Sequence, residues 1–117
     1  MTQYLLLIHT DEHAMAQAGP QVVARTLRRH EEFVAANASR LRGGKRLRPA
    51  ATATTIRRDE QDRPVVTDGV FVESKEVLGG YYVIEAADLD EAVRVAAQVP
   101  APFGGVEVRP VWPTDEP

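Results

Sequence analysis

The chain has 117 residues, 44% of them hydrophobic and 26% charged, with a formal net charge of -3. That length suits one domain around one core, and the acidic balance argues against a nucleic-acid backbone as partner, which needs a clustered basic surface. With no cysteine, disulfides, thiolate nucleophiles and cysteine-based zinc sites are excluded.

The apolar run at 4–8 reads as a strand buried on both faces. It is too short to cross a membrane and lacks the basic leader and cleavage site of a signal peptide, so the expected compartment is the cytoplasm. Residues 10–19 form a loop or a short irregular helix. Pro20 then opens a helix, on which Val23, Leu27, His30, Val34 and Leu41 share one stripe. Gly43-Gly44 is the expected stop. Residues 51–56 are β-prone, and Pro49 starts that strand late or places it at an edge. The polar segment 58–63 connects it to a return strand at 64–67, and Asp68-Gly69 is a turn signal. Residues 75–78 read as a short helical turn or bridge. Residues 80–86 form a strand with Tyr82 and Ile84 on one face and Tyr81 and Val83 on the other. Asp88 and Glu91 fit an N-terminal capping pattern. Leu89, Ala92, Val93 and Ala96 form the stripe of a second helix, which Pro100 ends. Residues 106–111 alternate as a last strand.

The order is β-α-β-β-α-β with one extra short element near Lys75. It predicts an α+β, ferredoxin-like domain over residues 1–112: an antiparallel sheet with both helices on one face. Residues 113–117 are expected to be a disordered tail. Such a sheet leaves one face open, yet the first strand is apolar on both. A second copy is the expected cover, giving a two-fold homodimer.

The fragments Ala51-Thr-Ala-Thr-Thr55, Thr67-Asp-Gly69, Glu73, Lys75-Glu76, Gly79-Gly-Tyr-Tyr82 and Val106-Glu-Val-Arg-Pro-Val111 occur in one order. That order resembles the YCII-related family, in its branch with an Asp-Gly-Pro-Phe signature. The signature has Pro where this chain has Val70. The resemblance implies a dimeric α/β barrel. It also implies a His–Asp pair, which maps onto His30 and Asp68.

Each candidate has a plain reading beside its functional one. His30, on the apolar stripe, is either a satisfied core histidine or an acid/base whose carboxylate partner would raise its pKa. Asp68 either caps its turn or accepts from His30. His9 and His13 bracket Asp11 and Glu12, an arrangement better read as a solvated loop than as a metal site. His9, at a strand end, can also border a pocket. Arg40, Arg42, Lys45, Arg46 and Arg48 read as a helix C-terminus and exposed loop, or as a site for an anion or an acidic partner. Lys75 is either solvated or a binder of a substrate carboxylate, and Tyr82 either packs or lines the cavity. Neither a cofactor nor a metal is expected. Two functions remain open. One is a cofactor-independent enzyme acting by proton transfer on a small polar metabolite, with His30 and Asp68 catalytic and Lys75, Tyr82 and His9 binding. The other is a non-catalytic ligand-binding or regulatory protein. The resemblance implies this second reading because such family members are often encoded beside, or fused to, sigma factors, which would make a sigma factor a partner.

Overall fold

The computed structural model describes residues 1–116. Strand β1 (Thr2–Thr10) pairs antiparallel with β5 (Val77–Ala86) on one side and with β6 (Gly104–Pro110) on the other. Strand β2 (Leu41–Arg46) pairs antiparallel with the outer side of β5, so the sheet runs β2-β5-β1-β6. Helices α1 (Glu12–Gln17) and α2 (Pro20–Ala36) join β1 to β2, and α3 (Leu89–Ala96) joins β5 to β6. This is the α+β, ferredoxin-like arrangement that the sequence predicts.

Alternation along the two inner strands sorts the side chains into two faces. Tyr4 and Leu6 of β1 and Ile84 and Ala86 of β5 meet Phe33 of α2 and Ala92, Val95 and Ala96 of α3 in one core. Leu6 and Ile84 are fully buried there. Leu5, Leu7, Tyr81 and Val83 alternate to the opposite face, which no helix covers, and remain half-buried.

The helix ends follow local chemistry. The Asp11 carboxylate accepts the Ala14 N–H at 3.0 Å and opens α1. Pro20 stands in the first turn of α2, as expected. Asp88 accepts the Glu91 N–H at 2.9 Å, and Glu91 reaches back to the Ala87 N–H at 3.2 Å, a reciprocal cap on α3.

The end of α2 differs from the sequence expectation. The helix stops at Ala36, and Asn37, 2% exposed, takes over. Its side-chain amide donates to the Phe33 carbonyl at 3.0 Å and to Gln98 Oε1 at 2.9 Å, tying the end of α2 to the chain after α3. Leu41 and Gly43-Gly44 therefore belong to β2 rather than to a helix and its stop. A Cβ on Gly44 would lie 2.7 Å from Tyr82 Cδ1 and 2.8 Å from the Tyr81 carbonyl oxygen. The glycine thus allows β2 to lie beside β5 under an aromatic ring, a second reason for glycine that mimics a helix stop in sequence.

Two further expectations change. The segment expected to supply the middle strands forms β3 (Thr54–Arg58) and β4 (Pro64–Asp68), a two-stranded sheet of its own. The core sheet uses β2 and β5 instead. Residues 75–78 form no helical turn: the chain is irregular until β5 begins at Val77. The β3–β4 hairpin is an arm with Ile56 and Val66 exposed, followed by exposed Phe71 and Val72. The molecule measures 48 × 45 × 18 Å. At the C-terminus, the Trp112 indole N–H donates to the Glu116 carbonyl at 2.8 Å. Of the expected disordered tail, Pro117 lies outside the described residues. Among those described, no helix is long and apolar enough to cross a membrane.

Gly104 provides a direct check on the β1–β6 pairing. A Cβ there would fall 1.9 Å from the His9 carbonyl oxygen, whereas one on Gly105 meets open space. Gly104→Ala is expected to lower unfolding free energy by about 1–3 kcal/mol. Gly105→Ala should stay within about 0.5 kcal/mol of the parent. Urea midpoints of the two variants measure the difference.

Candidate active site

The alternation of β5 points Tyr82 at α2, where its ring packs against Phe33 with centroids 4.8 Å apart. One helical turn earlier stands His30, whose Nδ1 lies 2.7 Å from the Tyr82 hydroxyl. The pair borders a cavity of about 380 Å³ between α2, β2, β5 and the segment after α3. Ile8, Val23 and Leu27 supply apolar wall, and Thr26 and Arg46 add polar groups. The stripe Val23–Leu27–His30 therefore walls a cavity, while the buried anchor of α2 is Phe33.

Burial sets the electrostatics of the pair. It pulls the pKa of His30 below its ordinary 6.5, and the nearby Arg46 guanidinium pulls it further in the same direction. Burial pushes the Tyr82 phenol above its ordinary 10.0. At neutral pH the imidazole is uncharged and the phenol keeps its proton. A carboxylate partner would have raised the histidine pKa; the partner beside it is a phenol, and the shift is downward.

Arg46 reaches the cavity because β2 is a strand. Gly44 sits opposite Tyr82 and Arg46 opposite Gly80, so both face the helices, and Lys45 between them faces the open side. The basic run does not form one surface. Arg40 lies 3.5 Å from Glu91, and Arg42 lies 3.0 Å from Glu85. Arg46 makes no ion pair with a carboxylate among the described residues.

The remaining candidates lie elsewhere. Asp68 ends β4 opposite Thr54, is exposed, and does not line the His30 cavity. Gly69 does take the turn conformation expected of it, with φ of 105°, and donates its N–H to the Ala53 carbonyl at 2.8 Å. Lys75 lies beside a separate hollow of about 450 Å³ with Asp11, Glu12, His13 and Glu73. Its ammonium is 3.9 Å from Asp11 and largely exposed. His9 faces the open side of the sheet, where its Nε2 is 3.2 Å from Glu107 Oε1. Among the described residues, no three His, Asp or Glu side chains converge as a metal-ligand set. A larger hollow of about 630 Å³ beside α2 and the end of α3 has Arg25, Arg29 and Glu32 as its titratable groups, all exposed. The structure thus joins His30 to Tyr82, leaves Asp68, Lys75 and His9 apart from them, and adds Arg46. Reading residues 41–46 as a strand would have placed Arg46 beside Gly44 on the Tyr82 face.

Residues 2–115 match the model of the YCII-related domain. An uncharacterized protein of Rhizobium meliloti (strain 1021) is similar: it is 32% identical over 116 residues, covering 92% of this chain and 90% of its own.

The environment of His30 makes a signed prediction. Its folded-state pKa lies below the unfolded value, so the unfolded chain takes up the proton first as the solution is acidified. The stability from keeping the ring neutral is complete above 6.5 and is lost as pH falls through the folded-state value. NMR titration of the ring should give a midpoint below 6.5. Arg46→Gln should raise that midpoint without restoring it fully, because burial remains. A parent midpoint at or above the ordinary value would contradict this account.

Proposed function

Since the chain belongs to the YCII-related family and carries a half-buried His–Tyr pair on a cavity, we propose that it is a cofactor-independent enzyme that moves a proton on a small metabolite. The observation that carries this reading is the 2.7 Å contact between His30 Nδ1 and the Tyr82 hydroxyl at the cavity wall.

A phenol can donate or accept, so it supports either neutral tautomer of imidazole. When Nδ1 donates to the Tyr82 oxygen, Nε2 presents a lone pair and acts as a base. The proton taken at Nε2 makes the ring an imidazolium, which then acts as the acid. A base that takes a proton at one position returns it at another from that imidazolium, which restores the neutral ring. Proton abstraction beside a carbonyl, as the first half of an isomerisation or elimination, is the reaction class that uses this cycle. The regulatory reading through a continuous basic surface has less support, because Glu91 and Glu85 already engage Arg40 and Arg42.

A panel of small enolisable carbonyl compounds in D2O tests the reaction class, with proton NMR following loss of the signal beside the carbonyl. The parent is expected to accelerate exchange of at least one compound. His30→Asn should slow it about 10²–10⁴-fold. Tyr82→Phe, which removes one hydrogen bond but keeps the ring, should slow it about tenfold. Exchange by His30→Asn at the parent rate would remove the acid/base role.

The proposed working form is a homodimer in which a second copy covers the open face of the sheet. That face has an apolar centre of Leu5, Leu7, Tyr81 and Val83. The Arg42–Glu85 ion pair flanks it on one side and the His9–Glu107 contact on the other. An apolar centre with a polar rim is the anatomy of a protein interface. Leu7→Asp places a charge at the centre and is expected to convert dimer to monomer in sedimentation velocity with the circular dichroism unchanged. A parent that sediments as a monomer at micromolar concentration would rule the assembly out.

A further inference from the structure

Arg46 is a guanidinium at an apolar cavity, and the pair beside it is neutral at physiological pH. We propose that the cavity takes a small organic monoanion, a carboxylate on a compact apolar body, with the carboxylate on Arg46 and the body against Tyr82 and Leu27. The inference extends the acid/base reading by naming the substrate class, and rests on it only for what His30 then does.

Four features converge on that ligand. The guanidinium has no carboxylate partner among the described residues, although its neighbours Arg40 and Arg42 both have one. Its planar fork matches a carboxylate in two parallel hydrogen bonds. Lys45 also borders the cavity, but it pairs opposite Tyr81, so its side chain starts from the other face of the sheet and Arg46 is the cation on the Tyr82 face. A phosphate dianion would find one cation on that face where it needs two. The rest of the wall includes Ile8, Val23, Leu27 and Tyr82, and the cavity holds about 380 Å³. An apolar wall of that size with few placed polar groups suits a ring or a short branched chain rather than a sugar or a nucleotide. The anion also completes the electrostatics of the site. Bound to Arg46, it offsets the charge that disfavours a protonated His30, so the base becomes stronger when the ligand is present.

Benzoate, benzamide and benzylamine form a probe set of one shape with three charges. Calorimetric titration of the parent protein should show benzoate binding at least tenfold tighter than benzamide, and no binding of benzylamine. Arg46→Gln should weaken benzoate at least tenfold and leave benzamide unchanged. His30→Gln should change benzoate affinity by less than about threefold, because the histidine does not hold the charge. In NMR titrations, saturating benzoate should raise the His30 midpoint in the parent but not in Arg46→Gln. Equal binding of benzoate and benzamide, parent-like benzoate binding by Arg46→Gln, or no benzoate binding at millimolar concentration would each overturn the proposal. The binding assay involves no turnover, so the two readings separate. Arg46-dependent binding without His30-dependent exchange keeps the carboxylate site and removes the chemistry. His30-dependent exchange without Arg46-dependent binding does the reverse.

Discussion

The Tyr82 ring occupies the space that a side chain at position 44 would fill, and the site depends on that exchange. Any Cβ on β2 at this point would push the ring away or separate β2 from β5. With glycine there, the ring lies across the strand and packs on Phe33, and its hydroxyl reaches His30 on α2. One aromatic side chain thus joins the sheet to the helix and holds the His30 ring at the cavity wall. The same burial tunes both partners, lowering the histidine pKa and raising that of the phenol. Packing and chemistry here are one constraint seen at two levels.

Much of the scaffold was legible because it follows rules that act within a few residues. The proline that opens α2, the Asp88–Glu91 cap on α3 and the two faces of β5 all depend on near neighbours in sequence. The second strand of the sheet was not legible for an equally physical reason. Gly43-Gly44 after an amphipathic run carries the pattern of a helix end, yet the glycine at 44 answers to Tyr82, far along the chain. The true end of α2 rests on Asn37, whose partner Gln98 is also distant. With 41–46 carrying the pattern of helix and loop, the β-prone Thr and Ile residues at 51–56 compete in sequence for the same place in the sheet, although they form the separate β3–β4 hairpin. The candidate site divides the same way. His30 and Tyr82 were visible as residues that face inward. Arg46 was hidden in a basic run, because only strand alternation separates it from Lys45.

A phenol in place of a carboxylate changes what the histidine can do. A carboxylate accepts only, so it would hold Nδ1 protonated and stabilise the imidazolium. The Tyr82 hydroxyl sets no such preference and adds no charge. It leaves a neutral ring whose two tautomers differ by the direction of one hydrogen bond. Such a group suits a reaction in which a proton leaves and returns within one turnover, and suits poorly one that needs a standing cation. The missing negative charge also explains why Arg46 can sit near the site. With an Asp on His30, the guanidinium would have had a resident partner, and an incoming anion would have met a carboxylate.

Strands β1 and β5 serve two faces with alternate residues. Ile8 and Tyr82 face the cavity, while Leu7 and Tyr81 face the open side. A substitution on one face therefore leaves the side chains of the other in place but acts on the same backbone. That backbone is irregular between Ile8 and His9, where Gly79 is the extra residue on β5. A bulge there strengthens local twist and re-aims the strand, just where Gly79 and Gly80 border the cavity. If a second copy presses on the open face, its load falls on Leu7 and Tyr81, adjacent in sequence to the bulge and to the Tyr82 ring. In the proposed dimer, β5 would carry the covered face on one side and the Tyr82 wall of the cavity on the other.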